Sequence, residues 1–318
     1  MSKRRRNRGR KVDGIIVVNK PKGGSSNDVL QRVKRLYGAA KAGHTGSLDP
    51  LATGVLPVCL GEATKFSQYL LESDKSYRTE VKLGIQTETG DREGEIVEQR
   101  PVNVTRSDVE AILDRFRGEV DQVPSMYSAL KHNGEPLYKL ARQGIVVERP
   151  SRRITIYRLE LLDFEGDRLI LEVDCSKGTY IRTLAEDIGA ALGCLGHVAE
   201  LHRVKAGPYT EHQSHTLEEL EEIRDSGGHK ALDDLLLPLD TSVSDWPQIR
   251  LGATSSYYIS QGQPVQVPQA PTSGSVRIYG QEQVEGQVEG QKVLRFLGIG
   301  EIDEDGLVAP KRLINSGN

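Results

Sequence analysis

The chain's 318 residues, 37% hydrophobic and 27% charged, are too many for one ordinary core and predict about two folded units of a soluble globular protein. That composition excludes a miniature scaffold, a fibre and a disordered chain. No run approaches the roughly 18 apolar residues of a membrane helix, and the arginine-rich start lacks the apolar segment of a secretory signal, so a cytoplasmic protein without a membrane partner is expected.

The net charge of −3 hides an asymmetry: residues 1–11 carry seven basic and no acidic side chains, leaving 35 of the 42 basic groups against 45 acidic ones elsewhere. Residues 1–13 therefore read as a basic, disordered arm, of a kind that contacts phosphates and makes affinity fall with salt. Next, Gly14 to Asn19 (GIIVVN) is a β-branched run stopped by Lys20-Pro21-Lys22-Gly23-Gly24, a strand and then a turn. Ser26 or Asn27 can cap a helix whose Val29, Leu30, Val33 and Leu36 share a face and which ends at Tyr37-Gly38. Residues 38–57 (GAAKAGHTGSLDPLATGVLP) then lose all periodicity, with four glycines, two prolines, one histidine and Asp49 as the one carboxylate. A long irregular stretch in a compact protein invites a functional reading, and an Asp before Pro, among glycines, can be presented into a cleft. By residue type alone, Asp49 is more often a turn former.

Further along, Tyr77 to Ile85 alternates as a strand, Ser107 to Phe116 reads as a capped helix, and Ile154 to Phe164 and Arg168 to Cys175 as two more strands. A turn at Ser176-Lys177-Gly178 introduces a helix over Thr179 to Leu192, with Ile181, Leu184, Ala185, Ile188 and Leu192 on one face. Arg182 falls in its first turn, where the helix dipole disfavours a cation, so a carboxylate partner elsewhere would account for it. Tyr77 and Tyr180 are each candidates for stacking on a base or for proton exchange, against a packing role by residue type. Residues 211–240 are acidic helical pieces separated by Ser226-Gly227-Gly228, and residues 247–318 are short β-like runs expected to form a small all-β barrel or sandwich. A twofold Gln-Val-Glu-Gly repeat at 283–290 reads as an exposed hairpin insertion. Cys59, Cys175 and Cys194 have no CxxC spacing and read as reduced and structural, and neither they nor the seven histidines form a zinc pattern.

The blocks GHTGSLDPLATGVLPVCLGEATK (43–65), SDKSYR (73–78), PSMYSALK (124–131) and CSKGTYIRTLAEDIG (175–189) closely resemble the TruB family of bacterial tRNA pseudouridine-55 synthases, a likeness that covers nearly the whole chain. The resemblance implies isomerisation of uridine 55 in the T loop of tRNA by base flipping, without cofactor or metal and without a required protein partner, by a monomer that could also assist tRNA folding. It implies an α/β (α+β) fold: a pseudouridine synthase domain at 14–246, with a mixed, largely antiparallel central sheet flanked by helices, and a PUA-like β-barrel that binds RNA at 247–318. By the same resemblance Asp49 is the catalytic carboxylate, acting as nucleophile or as base at the sugar C2′. Tyr77 stacks on the flipped base, Tyr180 and Leu201 enclose it, His44 supports or replaces the displaced nucleotide, Arg182 pairs with Asp49, and Lys20 supports the active-site loop.

Three other readings fit the sequence less well. A silent RNA-binding module fits the arm and the β-rich tail but leaves the Asp49 block unused. A glycoside hydrolase needs a second catalytic carboxylate, and Asp74, Glu186 and Asp187 offer no matching role. A guide-RNA-dependent synthase shares the Asp49 block, but the spacing favours a stand-alone enzyme.

Overall fold

The computed structural model describes residues 9–283 and 292–315. The first eight residues of the basic arm and most of the Gln-Val-Glu-Gly repeat lie outside the described residues, while Arg10 holds Asp233 through two hydrogen bonds.

The strands of the first sheet are β1 (Gly14–Lys20), β2 (Ala42–His44), β3 (Thr53–Leu60) and β4 (Lys75–Leu83), followed by a side hairpin β5 (Ile85–Thr87) with β6 (Ile96–Gln99). Then come β7 (Gly118–Gln122), a small hairpin β8 (Lys131–His132) with β9 (Glu135–Pro136), β10 (Arg152–Glu165), β11 (Arg168–Cys175), β12 (Gly196–Ala206) and β13 (Tyr209–Thr210). They pair in the order β1-β3-β12-β4-β11-β10-β7, with β2 on β3 and β13 on β12, and every pairing is antiparallel except β3 with β12. The mixed, largely antiparallel sheet is thus the architecture expected. β1 shows why its sequence lacks alternation: Ile16 and Val18 face helices α1 (Ser26–Leu36) and α6 (Leu217–Asp233), while Ile15 and Val17 pack with Val55, Cys59 and Leu70 on the other side. A larger core lies between β4, β10, β11 and β12 and helices α3 (Arg106–Leu113) and α5 (Ile181–Ala191), where alternate strand residues such as Leu169, Leu171 and Val173 meet Ile181, Leu184 and Ile188.

Two caps differ from expectation. Ser25, not Ser26 or Asn27, caps α1, because Asp28 stands at the third helical position and returns the hydrogen bond in a capping box. Thr105 does the same for α3 with Asp108, two residues ahead of the expected start. The acidic stretch forms α6, two helical pieces parted at Gly228, whose backbone is non-helical (φ 69°, ψ −162°), as the Ser226-Gly227-Gly228 break predicts.

Gly54 shows what the β3–β12 junction demands. Its φ is +102°, and a Cβ there would stand 2.3 Å from the Arg203 carbonyl oxygen on β12. Gly54→Ala is expected to cost roughly 1–3 kcal/mol through strain and overpacking. Thermal unfolding followed by circular dichroism checks this, and an unchanged Tm would contradict it.

The remaining elements are α2 (Ser67–Glu72), α4 (Leu137–Ala141), β14 (Gln248–Leu251), α7 (Ala253–Ser260), β15 (Gly274–Gln283), β16 (Lys292–Ile302) and β17 (Val308–Leu313). Strands β14-β15-β16-β17 form a four-stranded sheet with α7 against it. This corrects the expected barrel: among the described residues the sheet does not close on itself, β14 pairing β15 and β17 pairing β16 at its two edges. It docks on α2 through an aromatic cluster in which Phe66 meets Phe296 at 5.5 Å and Tyr69 meets Trp246 at 5.0 Å between ring centroids. No helix among the described residues is long and apolar enough to cross a membrane.

Candidate active site

The Asp49 loop between β2 and β3 has no regular structure of its own, and three side chains from elsewhere fix it. Ser26, freed from capping, accepts from the Leu48 amide at 2.7 Å and donates to its carbonyl at 3.2 Å. Lys20, fully buried at the end of β1, donates to the carbonyls of Pro21 (2.9 Å), Pro50 (3.3 Å) and Ala52 (2.7 Å). Arg203, also buried, donates from Nε to the Val55 carbonyl at 2.7 Å and from Nη2 to that of Gly46 at 3.1 Å. These bonds satisfy backbone groups that an irregular loop would otherwise leave unpaired.

The loop aims Asp49 into a cleft of about 330 Å³, lined also by Tyr77, Tyr180, Leu201, Arg182, Arg203, Lys75 and Leu71. Strand geometry assembles the wall. Lys75 and Tyr77 alternate onto the inner face of β4, and Leu201 and Arg203 onto that of β12, with Arg203 directly opposite Tyr77. Register shifts on β12 between Val198 and Glu200 and between Arg203 and Lys205 flank this pair and set its aim. Tyr180 sits at the amino-terminal boundary of α5. There Gln122 of β7 accepts from its amide at 2.8 Å and donates to its carbonyl at 3.1 Å.

Arg182 joins the two halves of the site. From the first turn of α5, almost fully buried, it points Nε at Asp49 Oδ2 (3.0 Å) and Nη2 at Asp49 Oδ1 (3.3 Å). It also donates to the carbonyls of Thr89 (3.0 Å) and Tyr127 (2.8 Å), and its Nη1 lies 3.6 Å from the buried carboxylate of Asp91. The fork thus holds Asp49 in one orientation, as a bidentate guanidinium can and an ammonium cannot.

Burial in the cleft pushes the Asp49 carboxyl above its ordinary value, with Arg182 pulling it down, Asp91 adding to the rise and Lys20 pulling down from farther off. Burial also raises Tyr77, the Arg203 guanidinium beside it pulling the other way, so the free protein holds a neutral phenol there. Lys20 is lowered to about 8 by burial, with Asp49 the main opposing charge. Since this value lies below that of an unfolded lysine, the folded chain gives up the proton first, and the group's contribution to stability rises between about pH 8 and the ordinary value near 10.4. Over the same window the loop loses a donor. Product formation at saturating substrate is accordingly expected to decline as pH rises through about 8. Lys20→Arg is expected to move that decline upward, and Lys20→Met to lower kcat about tenfold by unpairing loop carbonyls. An alkaline limb unchanged in Lys20→Arg would contradict this.

The structure therefore brings Asp49, Tyr77, Tyr180, Arg182 and Leu201 to one cleft, and places Lys20 beneath the loop. His44 lies outside the cleft wall, on β2 opposite Val58. Burial and nearby Arg203 lower its pKa, which keeps the imidazole neutral. Reading the sequence missed Arg203, Asp91, Gln122 and the cleft role of Lys75. The available signal was a cation at strand spacing from a pocket residue: Lys75 two before Tyr77, Arg203 two after Leu201. Among the described residues, three cations and one carboxylate line the cleft, a balance that suits an anionic substrate. No group of His, Cys, Asp and Glu among the described residues could hold a metal ion.

Comparison with known proteins gives concordant matches. A family model described as the N-terminal domain of TruB family pseudouridylate synthases matches residues 34–181, one for the tRNA pseudouridylate synthase B C-terminal domain matches 182–244, and one for the C-terminal part of pseudouridine synthase II TruB matches 247–314. The tRNA pseudouridine synthase B of Ectopseudomonas mendocina is 58% identical over 97% of each chain, and that of Pseudomonas aeruginosa 55% identical over 96% of this chain and 97% of its own. Among solved structures, a chain of a Cbf5–Nop10–Gar1 complex superposes with a TM-score of 0.72 at 24% identity, covering 94% of this chain and 84% of its own. A chain of an H/ACA RNP bound to a substrate RNA containing 2′-deoxyuridine gives 0.70 at 22%, covering 98% and 91%. At those identities the likeness bears on fold alone.

Proposed function

The chain belongs to the TruB family of pseudouridylate synthases, and on that premise we propose that it isomerises uridine 55 in the T loop of tRNA, acting alone on a base flipped into the Asp49 cleft. It is a pseudouridine synthase acting on tRNA uridine; the position, the flipping and the residue roles are the proposal. The observation that carries them is the Asp49 carboxylate held by the Arg182 fork in a cleft that Tyr77 and Tyr180 also line.

The reaction makes strict demands. The N1–C1′ bond must break, the uracil must turn without escaping, and C5 must bond to C1′ while its proton leaves and N1 gains one. Extruding the base costs roughly a few kcal/mol, offset by stacking and enclosure in the pocket. Tyr77 supplies the stacking face, and Tyr180 and Leu201 close around the base. The Asp49 carboxylate either attacks C1′ or removes the C2′ proton, and in both routes it must be ionised and fixed, which is what Arg182 provides. The Tyr77 hydroxyl faces Arg203, which lowers the cost of a phenolate able to take the C5 proton. His44 supports the rearranged loop, and Lys20 holds the backbone on which Asp49 sits. Residues 247–318 form a PUA-like unit that extends the RNA surface, and the basic residues 1–13 add phosphate contacts.

A tRNA transcript carrying 5-tritiated uridine tests this. One equivalent of tritium is expected to be released per transcript, with no free uracil, and none from a transcript with cytidine at position 55. Free uracil would indicate glycosidic hydrolysis instead.

A further inference from the structure

Two lysines, one on β4 and one in the turn that follows β11, converge on the carboxyl end of α2. Lys75 is buried, and its ammonium donates to the carbonyls of Leu70 (3.1 Å), Leu71 (2.8 Å) and Ser73, three of the acceptors a helix end leaves unpaired. Lys177 reaches the same end from outside, its Nζ pairing with the Glu72 carboxylate. Its neighbours Ser176 and Gly178 line the cleft, as does Leu71, next to Glu72. The ion pair therefore sits at the rim of the cleft, between residues that adjoin its lining.

The two contacts differ in kind. Lys75 is mostly buried, whereas the side chains of Lys177 and Glu72 are 55% and 61% exposed, and Leu71, next to Glu72, is 45% exposed. An exposed carboxylate–ammonium pair is worth only about 0–1 kcal/mol, so an incoming anion can displace the carboxylate. The anion that approaches this rim is a nucleic acid backbone, which presents phosphates at close spacing. With Lys75 holding the helix end from beneath, opening the outer pair needs only rotation of two side chains.

We propose that Glu72 and Lys177 form a latch at the rim of the cleft, with Glu72 occupying in the free protein the place of an RNA backbone phosphate that Lys177 binds in the complex. The latch rests on the reading of RNA as substrate given above. It makes Lys177 a phosphate-binding residue next to the turn that carries Tyr180, and Glu72 an internal competitor that an uncharged or poorly fitting ligand does not displace.

The test is a double-mutant cycle in the full chain, with Glu72→Gln, Lys177→Gln and both together, measuring Kd for an unmodified tRNA transcript across salt concentrations and the rate of pseudouridine formation. Glu72→Gln is expected to tighten binding about two- to fivefold, the factor released when an exposed pair is no longer broken. Lys177→Gln is expected to weaken binding and to reduce the steepness of log Kd against log salt by about 0.7–0.9, one phosphate contact. In the Lys177→Gln background, Glu72→Gln is expected to give no tightening. Equal tightening in both backgrounds would mean that Glu72 merely repels RNA and would overturn the latch, as would a Lys177→Gln variant with unchanged Kd and salt slope. Lack of product from the wild-type chain with the cycle intact would overturn the reaction and leave the latch standing. Loss of the cycle with product intact would overturn the latch alone.

Discussion

Asp49→Asn is expected to abolish pseudouridine formation, with kcat falling by at least about 10⁴-fold, while tRNA binding stays within a few-fold of wild type. The asparagine keeps the side chain's shape and can still accept from Arg182, so the loop held by Ser26, Lys20 and Arg203 has no reason to move. What is lost is the negative charge and the electron pair that attacks C1′ or takes the C2′ proton. A neutral amide does neither at a useful rate. Single-turnover assays with enzyme in excess, beside filter binding, separate the two quantities. An Asp49→Asn enzyme within tenfold of wild-type kcat would sink the assignment of Asp49, whatever the family resemblance.

Removal of the Arg182 guanidinium is expected to have the second-largest effect, and on two properties at once. Arg182→Met takes away five contacts: two to Asp49, two to the carbonyls of Thr89 and Tyr127, and the ion pair with Asp91. Because Arg182 and Asp91 each have side chains only 5% exposed, the variant leaves a buried carboxylate without its cation, a change that costs roughly 3–5 kcal/mol. Asp49 loses its orienting fork, and kcat is expected to fall about 10²–10³-fold. The sign of the pH effect follows from the charges. The Asp49 carboxyl already lies above its ordinary value, so the acid limb of the wild-type profile should stand above that of a free carboxylate; losing the opposing cation raises it further. Arg182→Lys should recover part of the stability but little of the rate, since an ammonium cannot make both bonds to Asp49. Denaturant unfolding and pH–rate profiles of the two variants check this, and an acid limb that stays in place in Arg182→Met would contradict it.

The elements legible in the sequence were those whose periodicity reports a single burial pattern. β1, α1, β10, β11 and α5 fall within a few residues of expectation, because their apolar positions repeat at two or 3.6 residues, or continuously where both faces are covered. Ser25 was missed because three consecutive candidates, Ser25 to Asn27, compete for the cap, and only the position of Asp28 decides among them. The open C-terminal sheet was missed because closure depends on edge pairing between distant strands, which alternation does not encode. For the site, the dipole argument called for a carboxylate opposite Arg182, but that the partner is Asp49, 133 residues away, came from the resemblance to a known family. Asp91 and Gln122 were invisible because each matters through a contact made only after the sheet has assembled, whereas Arg203 carried the signal of a cation at strand spacing from Leu201. Lys20 and Ser26 show the converse, ordinary residues in ordinary elements that become supports for a loop folded onto them.

The most direct test of the account is to incubate the purified full chain with an unmodified tRNA transcript, without metal, cofactor, guide RNA or second protein, and to map pseudouridine by carbodiimide treatment and primer extension. One strong stop at the T-loop uridine, position 55, is the predicted result. No stop there, or a stop that requires an added guide RNA or partner protein, would contradict the reading of a stand-alone synthase built around Asp49.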